Sequence, residues 1–211
     1  MKTKTVTLFL VLILVFTFQI NIYAQEEVNE IEINEYGGEK LGSIKDFREN
    51  SIKGIQKVDV EEYRLVVEGL VENRQEYKYS GLQEKEHIKK LITLNCVTGW
   101  SVKALWEGIS LTEIFKEVEV KDEANTVIFY SPDGYSTSLP LSFIKENNII
   151  LADKVNDVQL PPRQGFPFQL VAEQKYGYKW IRWVNRIELS SDSEYRGYWE
   201  SRGYSNSANL Y

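Results

Sequence analysis

The sequence predicts one α+β domain in which short strands outnumber short helices. Apolar, β-branched and aromatic runs recur at short intervals and are separated by turn residues, which is typical of strands. Only one segment carries a clear helix-start pattern. The chain has 211 residues, of which 43% are hydrophobic and 13% aromatic, so it can bury a proper core without disulfide bonds.

The elements follow one another as short units. We predict strands at 63–71, 92–97, 126–130, 135–139, 168–172 and 180–189. Residues 83–90 are charged and favour a helix, and Ser110 and Glu113 have the spacing of a capping box that opens a second, short helix. A Ser-Pro-Asp-Gly turn at 131–134 joins two of the strands, and 195–211 is predicted to be an aromatic strap on the domain.

Charge and residue counts exclude several classes of protein. The 25 Lys and Arg residues against 31 Asp and Glu residues leave a net charge of -6, which gives no reason to expect a nucleic acid partner. One cysteine and one histidine exclude cysteine-rich zinc or iron–sulfur sites and histidine-clustered metal sites. Any metal centre would therefore have to bring most of its own ligands.

The N-terminal segment predicts export. Lys2 and Lys4 precede an apolar run over 6–20, and Ala24 offers a small residue at a cleavage position. We therefore predict a signal peptide, or an uncleaved membrane anchor, over 1–24 and an extracytoplasmic location. An acidic tether over 25–46 and the folded domain over 47–211 follow.

Cys96 is the first candidate for chemistry, because it lies where a predicted strand meets a loop. An inert buried thiol is the alternative, since free cysteines are commonly buried. His87 is not expected to pair with Cys96 as a hydrolase dyad, because it lies in the charged segment predicted to be an exposed helix.

Two later segments suggest an anionic, partly aromatic ligand. The first, 160–167, holds three prolines and a glycine, so that Arg163 can be presented on a stiff loop. The second, 175–182, places three cations and several aromatics around Gly177, where backbone N–H groups can approach a phosphate or a pterin. The alternative to ligand binding is a purely structural role: a proline-braced loop at 160–167, and a hairpin with solvent-exposed lysines at 175–182.

Taken in order, these segments resemble the molybdopterin-binding domain of the sulfite oxidase family. The run from 96 to 111 is similar to the family segment around the molybdenum-ligating cysteine, and 160–189 is similar to its pterin-binding half. Within the family the likeness is to the catalytic subunits of periplasmic protein-methionine-sulfoxide reductase and their stand-alone relatives. It covers about 47–189 and implies a single domain of the sulfite-oxidase type.

The resemblance also implies a site and a cofactor. Cys96 would be the catalytic residue and the thiolate ligand of a mononuclear molybdenum cofactor, in which the metal also carries the dithiolene sulfurs of molybdopterin. The implied cofactor-binding residues are Asn50, Cys96, Ser131, Gln164, Gln169, Trp180, Ile181 and Arg182. Soft sulfur suits such a metal, and the cofactor would carry the redox chemistry.

Departures from the family pattern narrow the expected activity. Asn95, Gly99, Trp100 and Ser101 stand where family members have arginines, so sulfite is disfavoured as substrate. Gln169 stands where the reductase has an arginine, and lysines replace the twin arginines of the usual export signal. The haem and dimerisation domains of the animal enzymes have no counterpart in the sequence.

Two functional hypotheses result. The first is an enzyme that transfers oxygen at molybdenum on a small or protein-borne S-oxide or N-oxide. Its electrons would pass through a separate electron-transfer protein or membrane subunit. The alternative is a cofactor-free relative that binds an extracellular ligand or a partner protein.

Overall fold

The computed structural model describes residues 31–210, so the predicted signal segment at 1–24 lies outside the described residues. The strands are β1 Glu35–Tyr36, β2 Glu39–Lys40, β3 Arg64–Gly69, β4 Gln75–Lys78, β5 His87–Asn95, β6 Ser101–Ser110, β7 Thr126–Tyr130, β8 Ser136–Pro140, β9 Ile150–Val155, β10 Val158–Gln159, β11 Gln169–Val171 and β12 Arg186–Ser190. The helices are α1 Tyr79–Gln83, α2 Leu111–Val118 and α3 Leu141–Glu146. The predicted strand-rich α+β class is confirmed.

Two five-stranded sheets form the body of the domain. One has the order β10-β9-β6-β5, with β11 also paired to β9, and all its pairs are antiparallel. The other has the order β4-β3-β12-β7-β8 and is parallel only between β3 and β12. A single hydrophobic core draws on both sheets. Trp106 of β6 is fully buried in that core, with its ring 5.5 Å from Phe47 and 5.4 Å from Trp180.

The prediction of a helix over 83–90 was wrong. The helix ends at Gln83, and β5 begins at His87 and pairs with β6 without interruption from His87↔Ile109 to Asn95↔Ser101. β6 itself was missed, because Glu107 and Gly108 suggest a turn in the sequence. In the fold both residues stay in the strand and pair with Lys154 and Ala152, which leaves Asp153 of β9 as the bulged residue. Long-range strand pairing here overrides local helix propensity.

The predicted strand over 180–189 is also shorter than expected. Only Arg186–Ser190 is strand, while Trp183 has a left-handed backbone with φ 53. The predicted helix after Ser110 is confirmed, because Ser110 caps α2 by accepting a hydrogen bond from the backbone N–H of Thr112.

The described part of the predicted tether has defined structure. Residues 32–46 contain the β1–β2 hairpin and a 3-10 turn at Ile44–Asp46. The Glu32 carboxylate accepts hydrogen bonds from Ser43 and from Asn156 of the domain. The domain boundaries themselves stay a prediction. Across residues 31–210, no helix is both long enough and apolar enough to cross a membrane.

Gly108 provides a test of the β6–β9 pairing. A Cβ at this position would lie 2.0 Å from the backbone oxygen of Leu151 and 2.5 Å from Cα of Ala152. We expect Gly108→Ala to lower the free energy of unfolding by about 3 kcal/mol, measured by urea denaturation. Gly81→Ala in α1 is the matched control: its Cβ would meet nothing within 4 Å, so stability should hold or rise by about 0.5 kcal/mol. Equal stability of the two variants would contradict the steric argument.

Candidate functional site

Cys96 opens a tight turn at the end of β5. Its backbone N–H donates to the Trp100 oxygen at 2.9 Å, and the Gly99 N–H donates back to the Cys96 oxygen at 3.0 Å. Gly99 has φ 86, which favours glycine at this position. The thiol is buried and its Sγ lies 3.2 Å from Thr98 Oγ1. The turn therefore holds the sulfur in a defined place.

A second turn packs directly against this one. It is the 3-10 turn Gly177–Lys179, joined to the cysteine segment by a parallel bridge between Asn95 and Tyr176. A Cβ on Gly177 would lie 3.4 Å from the Asn95 oxygen and 3.8 Å from Cα of Cys96. The two backbones are therefore within van der Waals contact of each other. Two segments about 80 residues apart in sequence form one end of a cavity.

The cavity has a volume of about 250 Å³. It contains every predicted cofactor-binding residue except Gln164. It is lined by Asn50, Ser51, Leu94, Cys96, Val97, Thr98, Trp100, Ser131, Asp133, Tyr135, Gln169, Gly177, Tyr178, Trp180, Ile181, Arg182, Trp183, Trp199 and Tyr204. Gln164 is fully buried in the 3-10 turn Pro162–Gln164 and does not line the cavity.

Several buried polar atoms at the predicted positions have no hydrogen-bond partner within residues 31–210. They are Ser131 Oγ, Gln169 Oε1 and both amide atoms of Gln164. The other amide atom of Gln169, Nε2, donates weakly to the Trp180 oxygen at 3.4 Å. Leaving such an atom buried and unpaired costs about 1–3 kcal/mol. A bound ligand that forms hydrogen bonds with these atoms would explain them.

Arg182 and Asp133 are the only charged groups among the described residues that line the cavity. Arg182 Nη1 lies 3.5 Å from Glu49 Oε1, and its Nη2 donates to the Arg48 oxygen at 3.2 Å. Burial lowers the pKa of Arg182, while the Glu49 carboxylate opposes that change. Asp133 accepts from the backbone N–H of Tyr135 at 2.9 Å. The charges of the cavity are thus close to balanced.

The segments 160–167 and 175–182 were predicted to present cations to an anionic ligand. Of these cations only Arg182 lines the cavity, and the others have different contacts. Arg163 donates to the Phe47 oxygen at 2.9 Å and does not line the cavity. Lys175 and Lys179 are buried and bond to the C-terminal segment, through Asn209 and Glu200 respectively. The alternative of solvated lysines in a hairpin is therefore wrong, and so is their expected role as ligand-facing cations.

His87 lies on β5 and not on an exposed helix, which corrects its predicted position. Its Nε2 lies 3.4 Å from Asp153 Oδ2, and its Nδ1 lies 2.7 Å from the Lys85 oxygen. Nine residues of extended strand separate it from Cys96, a distance of about 30 Å. The rejection of a cysteine–histidine dyad stands for this geometric reason.

Sequence reasoning missed part of the aromatic wall of the cavity. Tyr178 belongs to the predicted segment 175–182, but Tyr135, Trp199 and Tyr204 also line the cavity and were not predicted to do so. The last two come from the C-terminal strap, whose density of aromatic residues was the available signal. Within residues 31–210 there is no group of three or more His, Cys, Asp or Glu side chains that could hold a metal ion.

The protein is thus a strand-rich α+β domain with a cavity that is lined by one thiol, Cys96. A model of the family described as "Oxidoreductase molybdopterin binding domain" matches residues 52–199. The chain belongs to this family of oxidoreductase enzymes, which confirms the predicted class.

Curated relatives agree with this assignment. The chain is 30% identical over 147 residues to the uncharacterized oxidoreductase YuiH of Bacillus subtilis, covering 69% of this chain and 74% of the relative. It is 29% identical over 130 residues to mitochondrial sulfite oxidase of Drosophila melanogaster, covering 57% of this chain and 22% of that one. It is 26% identical over 143 residues to the protein-methionine-sulfoxide reductase catalytic subunit of Ralstonia nicotianae, covering 60% and 43%. The predicted likeness to the sulfite oxidase family is confirmed.

A solved structure supports the fold. The sulfane dehydrogenase SoxCD from Paracoccus pantotrophus matches with a TM-score of 0.63 and 21% identity, over 66% of this chain and 41% of that one. The predicted single domain of the sulfite-oxidase type is confirmed by this likeness.

Proposed function

We propose that the protein is a molybdenum-cofactor-dependent oxidoreductase in which Cys96 ligates the metal. One observation carries the proposal: the only thiol of the sequence lines a cavity that also contains buried polar atoms without partners. A soft thiolate suits molybdenum that arrives with its own sulfur ligands.

The residues of the cavity fit such a group. Ser131 Oγ and Gln169 Oε1 are free to bond a polar heterocycle, because neither has a partner within the described chain. Asn50, Trp180 and Ile181 line the same space. Gln164 is buried and does not line the cavity, so we assign it no direct contact with the cofactor.

The chain's own residues would bind and orient the cofactor. Arg182 offers a fixed guanidinium to an anionic phosphate, and its contacts with Glu49 and the Arg48 backbone fix its direction. The turn at Cys96 and Gly99 holds the sulfur at the cavity wall. The bound cofactor would supply two-electron chemistry coupled to the transfer of an oxygen atom.

We propose a neutral S-oxide or N-oxide as the substrate, small or protein-borne. Sulfite is an anion, and Asn95, Gly99, Trp100 and Ser101 supply no cation beside Cys96. The cavity charges, Arg182 and Asp133, offset each other. The printed name of the Ralstonia relative, a protein-methionine-sulfoxide reductase, supports a sulfoxide.

Electrons would come from a separate electron-transfer protein or membrane subunit. The printed name of the Ralstonia relative, a catalytic subunit, supports a separate partner. The charged and apolar start of the sequence supports an extracytoplasmic enzyme, secreted or anchored.

The test is metal and cofactor content. Protein made in a molybdenum-competent host should contain about one molybdenum atom per chain by mass spectrometry and a fluorescent pterin after oxidation. It should reduce dimethyl sulfoxide with a reduced viologen dye as electron donor. Trace metal and no pterin fluorescence would refute the proposal and favour the cofactor-free binding module.

Ser131→Ala separates a ligand-binding hydroxyl from a structural one. Since Ser131 Oγ is buried without a partner in the described chain, its removal should not lower the free energy of unfolding and should raise it by about 1 kcal/mol. Pterin retention during dialysis should nevertheless fall about tenfold. Thr137→Ala is the control, because Thr137 donates to buried Glu200 at 2.6 Å and should cost about 2 kcal/mol of stability. A large loss of stability in Ser131→Ala would contradict this assignment.

A further inference from the structure

The C-terminal strap, residues 195–210, is anchored first along β8. The Tyr198 N–H donates to the Ser136 oxygen at 2.9 Å, and Tyr195 Oη donates to Ser136 Oγ at 2.9 Å. A Cβ on Gly197 would lie 2.2 Å from the Ser136 oxygen, so the close approach requires glycine. The strap therefore lies directly on the strand that follows the Ser131 turn.

A second set of anchors holds the strap on the turn beside Cys96. Lys179 and Glu200 form an ion pair of 2.5 Å in which both side chains are fully buried. Tyr178 Oη donates to the Ser205 oxygen at 2.8 Å, and the Tyr176 N–H donates to the Ala208 oxygen at 2.9 Å. Because the strap is anchored both on β8 and on the turn beside Cys96, Trp199 and Tyr204 form a fixed wall of the cavity.

The cavity side of this wall is aromatic. The Tyr204 ring lies 5.2 Å from the Trp199 ring and 5.2 Å from the Tyr178 ring. Tyr178 follows Gly177, whose Cβ position is 3.8 Å from Cα of Cys96, so the wall is close to the cysteine. Arg202 does not line the cavity, and its guanidinium lies 3.7 Å above the ring of Tyr198.

We propose that Tyr178, Trp199 and Tyr204 are the substrate-selecting surface of the enzyme and bind an aryl or alkyl substituent of the neutral oxide. This inference rests on the proposed function and deepens it. Aromatic rings bury apolar substituents well, while their negative faces disfavour an anion. The family match ends at residue 199, so Tyr204 lies outside the part matched to the family.

Steady-state kinetics with two neutral sulfoxides test the proposal. Methyl phenyl sulfoxide presents an aryl group to the wall, while dimethyl sulfoxide presents only methyl groups. In Tyr204→Ala the ratio of kcat/KM for the aryl over the dimethyl substrate should fall about tenfold, mainly through KM of the aryl substrate. Tyr36→Ala is the matched control: Tyr36 is similarly exposed but lies in the β1–β2 hairpin, so the ratio should not change.

Binding measured by titration calorimetry separates this inference from the proposed function. If molybdenum is bound but Tyr204→Ala keeps the substrate ratio, the wall does not select the substrate and only this inference fails. If no molybdenum is found, the proposed function fails, and calorimetry with methyl phenyl sulfoxide decides on the wall. Affinity about tenfold weaker in Tyr204→Ala than in the parent would support it. Equal affinity, or no binding to either protein, would overturn it.

Discussion

Cys96→Ser is expected to lower the molybdenum content of the purified protein at least about tenfold, because the only protein thiolate of the site is lost. Serine keeps the size of the side chain, so the turn bonds between Cys96, Gly99 and Trp100, which involve only backbone atoms, should persist. Metal content by mass spectrometry measures the effect. Sulfoxide reduction should fall with it.

Val97→Ala is the matched control for this variant. Val97 is the next residue, lines the same cavity and is 44% exposed, but it carries no ligand atom. Its molybdenum content should equal that of the parent. If Cys96→Ser kept its metal, the sulfur would not be the ligand, and the site would need another explanation.

Removing one partner of the Lys179–Glu200 pair is expected to have the largest effect on stability. Both side chains are 0% exposed, and Lys179 also donates to the Ser138 oxygen at 3.0 Å. Burial lowers the pKa of Lys179, and the Glu200 carboxylate opposes that change. Glu200→Leu leaves a buried ammonium without its counter-ion, so we expect the free energy of unfolding to fall by about 3–5 kcal/mol.

A double variant and an exposed pair complete this experiment. Lys179→Met with Glu200→Leu replaces both charges and should recover at least about 2 kcal/mol of the loss, measured by urea denaturation. The Lys116–Glu113 pair has a similar distance, 2.7 Å, but its side chains are 66% and 56% exposed. Glu113→Gln should therefore cost less than about 0.5 kcal/mol. A similar loss in both single variants would mean that burial does not control the strength of these pairs.

The positions of several elements could be predicted from local patterns. The strand that ends before Cys96, the strand at Thr126–Tyr130 and the helix capped by Ser110 all depend on residues close together in sequence. The turn at 131–134 is likewise local, closed by the Gly134 N–H bonding to the Ser131 oxygen at 3.0 Å. The hydrogen bonds that form these elements join residues close together in the chain, so the sequence is enough to identify them.

Other features could not be predicted in this way. Residues 83–90 carry charges that favour a helix, yet the second half of this stretch, from His87 on, pairs with β6 because sheet pairing outweighs local helix propensity. The local sequence at Gly108 suggests a turn, but in the structure Gly108 lies within β6, where the register with β9 shifts. In the site, Gln164 was expected beside the cofactor, but it is fully buried and does not line the cavity.

The sequence by itself determined the class of fold, the family and the placing of the single cysteine at a strand end, because these depend on local pattern and residue type. Only the tertiary structure decided which groups share the cavity with Cys96. The bridge between Asn95 and Tyr176 holds a distant turn against Cys96, and the buried Lys179–Glu200 pair fixes the aromatic strap beside it. Those contacts join residues far apart in the chain, and their energies depend on burial, which no local pattern specifies.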